Sequence, residues 1–412
     1  MTSDTADTTP VTAPGAAPAA APGPAPVIAP QETDPELRKL YDGFAAAGLI
    51  PLWTEIGDLM PLTPRPEAVP HVWQWDTLLP LARRSGDLVP VGRGGERRAI
   101  ALANPGLPGR PYATPNLWAA IQYLGPREVA PAHRHSQGAF RFILEGEGVW
   151  TVVNGDAVEM RPGDLLLTPS MHWHGHHHVG DAPMVWLDGL DIPLVHRLDA
   201  GFFEFGEDGV SDRSTPSRSR NERLWGHPGL RPIAAPETPN SPLMAYRWAD
   251  TDDALTAQLE LADEGHPGAI GPGHAGIRFT NPATGRDALA SLRTEMHRLR
   301  AGATTATRRT VGSSVWQIFR GSGTVTLDDR VIEVSTGDLI AVPSWCALTI
   351  AAHTDLDLFT FNDAPLYEAL NLARTEITER PGTADATTER PTTAGNSTDR
   401  PETAGNTGSS TS

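Results

Sequence analysis

Two spacings of apolar residues divide the chain into a short helical part and a long region of strands. The helical part begins at Asp34, where Pro35 takes the first position of the predicted helix, and Gly48 can end it. Between them the large apolar side chains recur every three or four residues, the spacing of one helix face. We therefore expect an amphipathic helix between residues 34 and 48.

Beyond about residue 70 the apolar residues form short runs that are separated by Gly, Pro and Asn. Phe140 and Phe142 alternate with Arg141, a period of two that is typical of a strand. The pair Asn154-Gly155 follows an apolar run and favours a two-residue hairpin turn. A succession of strands joined by tight turns predicts an antiparallel sandwich or barrel.

The same arrangement of strands and turns occurs twice. The segment 163–170 resembles the segment 337–344, and the turn at 146–148 resembles the turn at 321–323. The two separations, 174 and 175 residues, nearly agree, which indicates an internal repeat. We therefore expect a mainly β protein with two jelly-roll barrels, an N-terminal helical segment and disordered tails.

Both ends of the chain differ from this region in composition. Residues 1–33 are mainly Ala, Pro and Thr, and a polar ten-residue repeat runs onward from about residue 375. Neither end has enough large apolar side chains to offset the entropy lost on ordering, so both are predicted to be disordered. The predicted organisation is a tail (1–33), a helix and arm packing on the barrels (34–118), a metal-binding barrel (119–205), a connecting region (206–285), a second barrel (286–374) and a tail (375–412).

Charge and composition exclude several classes of partner. The chain has 412 residues and a formal net charge of −17, whereas nucleic acids and anionic membranes bind basic surfaces. The single cysteine, Cys346, excludes an intrachain disulfide framework and is expected to be a buried, inert thiol. The first basic residue is Arg38, and no apolar run is long enough to span a membrane. We therefore expect a cytoplasmic protein.

Histidine is concentrated in one segment of the first repeat. Seven of the fourteen histidines lie between His133 and His178. Alternate residues of a strand share a face, so His133 and His135 point the same way. If a neighbouring strand carries His174, three imidazoles meet in the barrel and can bind a first-row metal ion with coordination positions left open. A hydrogen-bonded core histidine is the alternative for any single residue, but the paired spacing favours a metal site.

The second repeat does not keep this set of histidines. The separation of about 175 residues brings Arg308 and Thr310 to the positions of the His-x-His pair, and Leu348 to the position of His174. We therefore predict that the second barrel has lost the metal site and serves structure or assembly.

The spacing around these histidines resembles the two cupin motifs. Many cupins have a glutamate seven residues before the glycine of the first motif; counted back from Gly146, that position is Ala139. A three-histidine first cupin without the glutamate, followed by a degenerate second one, resembles the gentisate 1,2-dioxygenase family, which includes salicylate and 1-hydroxy-2-naphthoate dioxygenases. The resemblance covers about residues 35–374 and extends to the segments Thr114–Tyr123, Ala132–His135, Arg141–Gly146, Trp186–Pro193, Asn281–Gly285 and Pro343–Trp345.

This resemblance implies an Fe(II) enzyme with His133, His135 and His174 as the ligands. Enzymes of the family open the ring of a 2-hydroxybenzoate with both atoms of O2, and from gentisate they make maleylpyruvate. Three protein ligands on an octahedral ion leave three positions, enough for the substrate's carboxylate, its ortho-hydroxyl and oxygen. The resemblance also implies a homo-oligomer, most often a tetramer.

Further residues are candidates for the substrate pocket. An unpaired Arg141 would be costly inside a barrel, so we expect it to bind the substrate carboxylate; the alternative is an ion pair with Glu145 or Asp188. His176 and Asp188 match family positions for proton transfer or contacts to ring hydroxyls. Two more pocket positions follow from the resemblance: Gln122, as a hydrogen-bonding group, and Trp118, as an aromatic wall or as plain core.

Several functions remain open on the sequence. The first is a gentisate 1,2-dioxygenase, whose partners are a small aromatic hydroxy acid and O2. The second is an enzyme that opens salicylate or 1-hydroxy-2-naphthoate, which lack the activating para-hydroxyl. A hypothesis of a different class is a bicupin that binds a small acid without chemistry. A metal-dependent isomerase or another cupin dioxygenase would more typically retain the glutamate.

Overall fold

The computed structural model describes residues 34–90, 98–206 and 218–378. The predicted tail 1–33 and nearly all of the predicted tail 375–412 lie outside the described residues. Strands dominate the described part, as the alternating pattern predicts. Its helices are α1 (Pro35–Ala46), α2 (Leu52–Leu59), α3 (Trp75–Leu88), α4 (Ile192–Arg197), α5 (Arg220–Trp225), α6 (Trp248–Asp263) and α7 (Ala364–Ala369).

The strands fall into two series along the chain. Those of the first series are β1 (His71–Trp73), β2 (Ala99–Ala101), β3 (Trp118–Leu124), β4 (Val129–His135), β5 (Ala139–Glu145), β6 (Val149–Val153), β7 (Asp156–Glu159), β8 (Leu165–Thr168), β9 (His174–His178), β10 (Met184–Leu190), β11 (Phe203–Phe205) and β12 (Ala245–Tyr246). Those of the second series are β13 (His274–Arg278), β14 (Arg293–Leu299), β15 (Thr307–Thr310), β16 (Ser314–Arg320), β17 (Ser322–Leu327), β18 (Arg330–Ser335), β19 (Leu339–Val342), β20 (Leu348–Ala352), β21 (Leu356–Asn362) and β22 (Thr375–Thr378).

The N-terminal unit ends at Arg65, and α1 and α2 are its helices. The Asp34 side chain accepts a hydrogen bond from the Glu36 N–H at 2.9 Å and so caps α1. The Trp53 indole N–H on α2 donates to the Tyr41 hydroxyl at 3.2 Å, which ties the two helices together. The predicted helix between residues 34 and 48 is confirmed, whereas α2 was not predicted.

Four antiparallel sheets build two barrels in the second unit. The first barrel pairs a sheet of order β12-β8-β5-β10-β3-β2 with a sheet of order β11-β4-β9-β6-β7. The second barrel pairs β1-β19-β16-β21-β14-β13 with β18-β17-β20-β15-β22. When the order of the second five-stranded sheet is read in reverse, strands at equivalent places follow one another in the same sequence along the chain, except for the edge strands β12 and β1. This agreement confirms the predicted duplication.

The strand register shows how closely the two barrels correspond. His133 on β4 pairs with His174 on β9, and Arg308 on β15 pairs with Leu348 on β20. These are the residues that the sequence repeat places at equivalent positions. The Asn154-Gly155 turn also has the predicted form, because φ of its two residues is 46° and 76°, as a type I′ hairpin requires.

Large aromatic side chains fill the layer between the barrels. Phe142 of the first barrel stacks on Phe359 of the second with ring centroids 4.1 Å apart, and Phe140 meets Phe361 at 4.8 Å. Burying such a side chain contributes roughly 1.5–3 kcal/mol. The strand β5 is therefore covered on both faces, by the interior of its own barrel and by the other barrel.

Several strands lie outside the predicted barrel boundaries. The strand β22 continues four residues past the predicted boundary at 374 because it pairs along β15, so the second tail cannot begin before residue 379. The strand β13, in the predicted connecting region, pairs with β14. From the predicted arm, β1 joins the second barrel and β2 joins the first. The packing of residues 34–65 on the barrels stays a prediction. Within the described residues no helix has the length and apolar character needed to cross a bilayer.

Candidate active site

Three histidines of the first barrel meet at the ends of two adjacent strands. His133 and His135 share a face of β4, and His174 is the first residue of β9, which runs alongside. The His174 ring lies 4.2 Å from that of His133 and 4.9 Å from that of His135, measured between centroids. One ligand nitrogen from each lies within 4.8 Å of the other two. The structure thus brings together the whole histidine set that the sequence singles out.

Backbone carbonyls orient all three rings in the same way. Each Nδ1 lies about 3 Å from the carbonyl oxygen of a residue two positions away: that of Pro131 for His133 (3.0 Å), that of Gln137 for His135 (3.0 Å) and that of His172 for His174 (2.9 Å). A carbonyl can only accept, so each Nδ1 carries a hydrogen, and in the neutral form of each ring the lone pair is on Nε2. This is the arrangement by which proteins fix metal-binding imidazoles.

The environment of His174 fits a bound cation. Its Nε2 is buried and has no hydrogen-bond partner among the described residues, a costly state for a polar atom unless a ligand completes it. Burial, reinforced by the positive charge of Arg141, holds the pKa of His174 well below its usual range. The imidazole is therefore neutral, as metal coordination requires. A set of three imidazoles suits a first-row divalent ion.

The opposite wall of the barrel carries a buried cation. Arg141 on β5 donates from Nη1 to the Thr168 hydroxyl at 2.9 Å, and its Nε lies 3.4 Å from Oδ1 of Asp188 on β10. Neither Nε nor that oxygen makes a hydrogen bond among the described residues, so the contact is an ion pair without hydrogen-bond geometry. The ion pair with Asp188 is thus present, while Glu145 lies beside Arg83 instead, at 3.6 Å. Arg141 keeps an unsatisfied N–H inside the barrel.

Asp188 titrates far from the range of an exposed carboxyl. Complete burial raises its pKa to about 6, although the neighbouring Arg141 acts in the opposite direction. The same burial lowers the pKa of Arg141, and Asp188 partly opposes that change. A carboxyl with its pKa raised by burial beside a buried cation is found often at functional sites.

His176 lies one strand period beyond His174 and faces the same interior. Its Nδ1 is 2.9 Å from the Thr151 hydroxyl, whose own hydrogen points to the Met160 sulfur at 3.0 Å. The hydroxyl therefore accepts from Nδ1, and Nε2 keeps its lone pair. Burial and the charge of Arg141 keep the pKa of His176 well below its usual range.

The remaining predicted pocket residues lie on β3, beside Asp188. Ala120 pairs with Asp188 across β3 and β10, so Trp118 and Gln122, two residues to either side of Ala120, share its face. Gln122 is buried and Trp118 is half-buried. All five predicted pocket side chains therefore belong to the interior of the first barrel.

Two contacts of this site were not anticipated from the sequence. Thr168, the partner of Arg141, ends the apolar run of β8 and gave no signal of its own. Phe203 on β11 stacks on the His133 ring, with centroids 5.5 Å apart and planes at 21°. The alternation of Phe203 with Phe205 was a signal for this edge strand. Among the other histidines of this segment, His178 is a buried residue whose Nδ1 donates to the Gly125 carbonyl at 2.6 Å.

Comparisons with known proteins agree with this geometry. Residues 120–190 match the family model of the cupin domain. A gentisate 1,2-dioxygenase from Streptomyces sp is 68% identical over 339 residues, which span 82% of this chain and 95% of that protein. A 5-aminosalicylate 1,2-dioxygenase from Comamonas sp is 33% identical over 86% of this chain and 94% of its own. The crystal structure of a salicylate 1,2-dioxygenase from Pseudoaminobacter salicylatoxidans, an adduct with gentisate, is 59% identical with a TM-score of 0.81, over 85% of this chain and 96% of that one.

These relatives share one reaction class and nearly the full length of the chain. The hypothesis of a bicupin that binds an acid without chemistry is therefore not supported. The chain belongs to the gentisate 1,2-dioxygenase family, and it is a ring-cleaving bicupin dioxygenase.

Proposed function

We propose that this protein is an Fe(II)-dependent gentisate 1,2-dioxygenase that converts gentisate and O2 to maleylpyruvate. The observation that carries the proposal is a buried guanidinium, Arg141, across the barrel from three imidazoles whose Nε2 atoms keep their lone pairs. The relative that is 68% identical is a gentisate 1,2-dioxygenase, which supports this substrate.

The chain's own residues divide the work of binding. His133, His135 and His174 would hold the ion, which when bound supplies a centre that orients the acid and oxygen and conducts electron density between them. Arg141 would bind the substrate carboxylate through its unsatisfied Nε and its neighbouring N–H groups. The charge on this side chain then fixes the direction in which the ring enters.

The other four residues would act on the ring and its protons. Asp188, with its pKa raised to about 6, could accept the proton of a ring hydroxyl near neutral pH. The lone pair on Nε2 of His176 could accept a hydrogen bond from a second hydroxyl. Gln122 would hydrogen-bond the substrate or a bound water, and Trp118 would provide an aromatic wall.

One experiment tests this assignment directly. Purified protein is reconstituted with Fe(II) without oxygen, and oxygen uptake and ultraviolet spectra are then followed with gentisate and salicylate side by side. We expect one O2 consumed for each gentisate and the absorbance of a ring-opened product. Protein that binds Fe(II) and consumes no oxygen with either acid would contradict the proposal.

Salicylate is the second candidate substrate because the solved salicylate 1,2-dioxygenase is 59% identical to this chain. A higher kcat/KM for salicylate than for gentisate in the same assay would make salicylate the proposed substrate and gentisate the second candidate. For 1-hydroxy-2-naphthoate the same comparison applies, with pocket size beside Trp118 as the deciding feature.

We further propose a cytoplasmic homotetramer. The only cysteine, Cys346, is buried and unpaired, which suits a reducing compartment. A second barrel without the histidine set would have a role in assembly. Light scattering at micromolar concentration would contradict the tetramer if it gave the mass of a single chain.

A further inference from the structure

One peptide group next to the histidine set is held from both sides. The carbonyl of Gln137 accepts from Nδ1 of His135 at 3.0 Å. The N–H of the same peptide group belongs to Gly138, and it donates to Oδ1 of Asp191 at 3.0 Å. The carboxylate and the imidazole are therefore joined through a single planar peptide, which transmits both orientation and polarisation.

The second barrel reaches this peptide through Asp191. The hydroxyl of Ser291, just before β14 in the second barrel, donates to Oδ2 of Asp191, so both carboxylate oxygens are engaged. Asp191 stands at the N-cap of α4, yet its side chain makes no capping bond to that helix. A residue type that usually caps its own helix is instead committed to the loop beside His135.

We propose that Asp191 and Ser291 are positioning residues for the metal ligand His135, so that the second barrel directly supports the metal site of the first. A carboxylate that accepts from the peptide N–H makes the Gln137 carbonyl a stronger acceptor, and this strengthens the hold on Nδ1. Metal-binding histidines commonly donate a hydrogen bond to a carboxylate or to a carbonyl. Here the imidazole donates to the carbonyl of a peptide group, and the N–H of that peptide group donates to the carboxylate.

The second barrel contains an equivalent contact between a carboxylate and a peptide N–H, but no metal-binding histidine lies beside it. Asp363, at the N-cap of α7, accepts from the Ser313 N–H at 2.7 Å and from the Ser313 hydroxyl at 3.0 Å. The Asn116 side chain of the first barrel donates to it at 2.9 Å. Thr310 stands where His135 would be, so this copy ties the barrels together and positions no imidazole. It therefore provides a matched control.

The test compares two serine substitutions. Fe(II) affinity is measured without oxygen, by equilibrium competition with a coloured chelator, for the wild type, Ser291→Ala and Ser313→Ala. We expect Ser291→Ala to weaken Fe(II) binding by about 10-fold, the lower end of the effect of residues that support metal ligands. Ser313→Ala should bind Fe(II) as the wild type does. Asp191→Asn removes the negative charge and replaces one of the two accepting oxygens with an NH2 group, and we expect a larger loss, up to about 100-fold.

Thermal unfolding of the metal-free proteins separates positioning from folding. Each serine variant removes a hydroxyl donor to a buried carboxylate, and Ser313→Ala also removes the contact with the Thr114 hydroxyl at 2.8 Å, so Ser313→Ala should lower Tm at least as much as Ser291→Ala does. Equal Fe(II) affinity of Ser291→Ala and the wild type, or an equal loss in the two serine variants, would overturn the proposal. The inference rests on the proposed metal site but not on the substrate, so the role of Ser291 can be tested even in a protein that binds Fe(II) and leaves gentisate intact.

Discussion

The two barrels have the same backbone arrangement and differ in the side chains that line them. In the first, Arg141 pairs in register with Asp188 across β5 and β10; in the second, Trp316 pairs with Thr360 across β16 and β21. One pair is a buried cation beside a carboxyl, and the other has no charge. The chemistry of the protein therefore depends on a few substitutions within a duplicated scaffold.

Even the unusual backbone next to the histidines is shared. Met171 has a φ of 60° and donates from its N–H to the His135 carbonyl at 2.7 Å. Trp345 has a φ of 66° and donates to the Thr310 carbonyl at 2.8 Å. A non-glycine residue with positive φ is uncommon. Its presence in both copies shows that this loop belongs to the scaffold and does not depend on the metal ligands.

The largest expected effect comes from removing the histidine pair. The double substitution His133→Ala and His135→Ala leaves His174 as the last of the three imidazoles. A single imidazole binds a metal ion too weakly to retain it when the free metal is removed. We expect no stoichiometric Fe(II) after desalting, by metal analysis, and a fall in activity of at least about 1,000-fold, since the ion orients both reactants.

The matched control changes the equivalent pair of the second barrel. Arg308→Ala with Thr310→Ala should retain one Fe(II) per chain and most of the activity. Stoichiometric iron in the histidine variant would refute the assignment of these ligands. Loss of iron from both double variants would mean that the substitutions act through the fold of the barrels, and the ligand assignment would lose its support.

A smaller loss is expected when the buried guanidinium is replaced. Arg141→Lys keeps a positive charge beside Asp188 but loses the forked N–H groups that can hold a carboxylate. We expect a fall in kcat/KM of about 100-fold, comparable with the loss of a hydrogen bond to a charged group, with Fe(II) content unchanged. Trp316→Phe, at the equivalent place in the second barrel, should leave kcat/KM within about twofold. A variant of Arg141 with normal kcat/KM would remove this residue from the substrate site.

Asp188 provides a pH-dependent difference between the barrels. Its pKa is about 6 in the folded protein against an ordinary value of 3.8, so between those values the native state binds more protons than the unfolded chain. The carboxyl therefore lowers stability as pH rises from about 4 to about 6, by at most about 1.4 kcal/mol per pH unit, and adds no further change above pH 6.

Asp188→Asn removes this titration. We expect Tm of the metal-free variant, relative to wild type, to increase from pH 4 to pH 6 and to level off at higher pH. The equivalent change in the second barrel, Thr360→Val, should shift Tm by an amount that does not vary with pH. A constant Tm difference for Asp188→Asn would show that the carboxyl keeps an ordinary pKa.

The comparison also shows what the sequence could and could not predict. The period of two determines which residues of a strand share a face, so the convergence of His133 and His135 was predictable. It does not say what covers the other face, and Phe140 was found against the second barrel. The bond between Ser291 and Asp191 joins residues one hundred positions apart, with no local pattern that indicates it.

The smallest expected effect concerns the edge strands β11 and β22, which occupy equivalent places. Phe203 pairs with His135 in register and stacks on His133, whereas Thr375 pairs with Thr310 and has no aromatic ring for such a contact. A stacking contact of this kind is worth about 0.5–1.5 kcal/mol. Phe203→Ala should therefore weaken Fe(II) binding by only about threefold to tenfold, because the backbone carbonyl of Pro131 still orients the His133 ring.

Phe203→Leu separates the effect of ring stacking from the effect of excluding water from the His133 ring. Leucine keeps most of the apolar volume, so an Fe(II) affinity like that of Phe203→Ala would assign the effect to the ring, and recovery to the wild-type value would assign it to exclusion of water. Thr375→Ala on β22 should change neither Fe(II) affinity nor kcat/KM. If it lowered Fe(II) affinity as much as Phe203→Ala does, the edge strands would act through the fold of the barrels, and the stacked ring would have no separate role at the metal site.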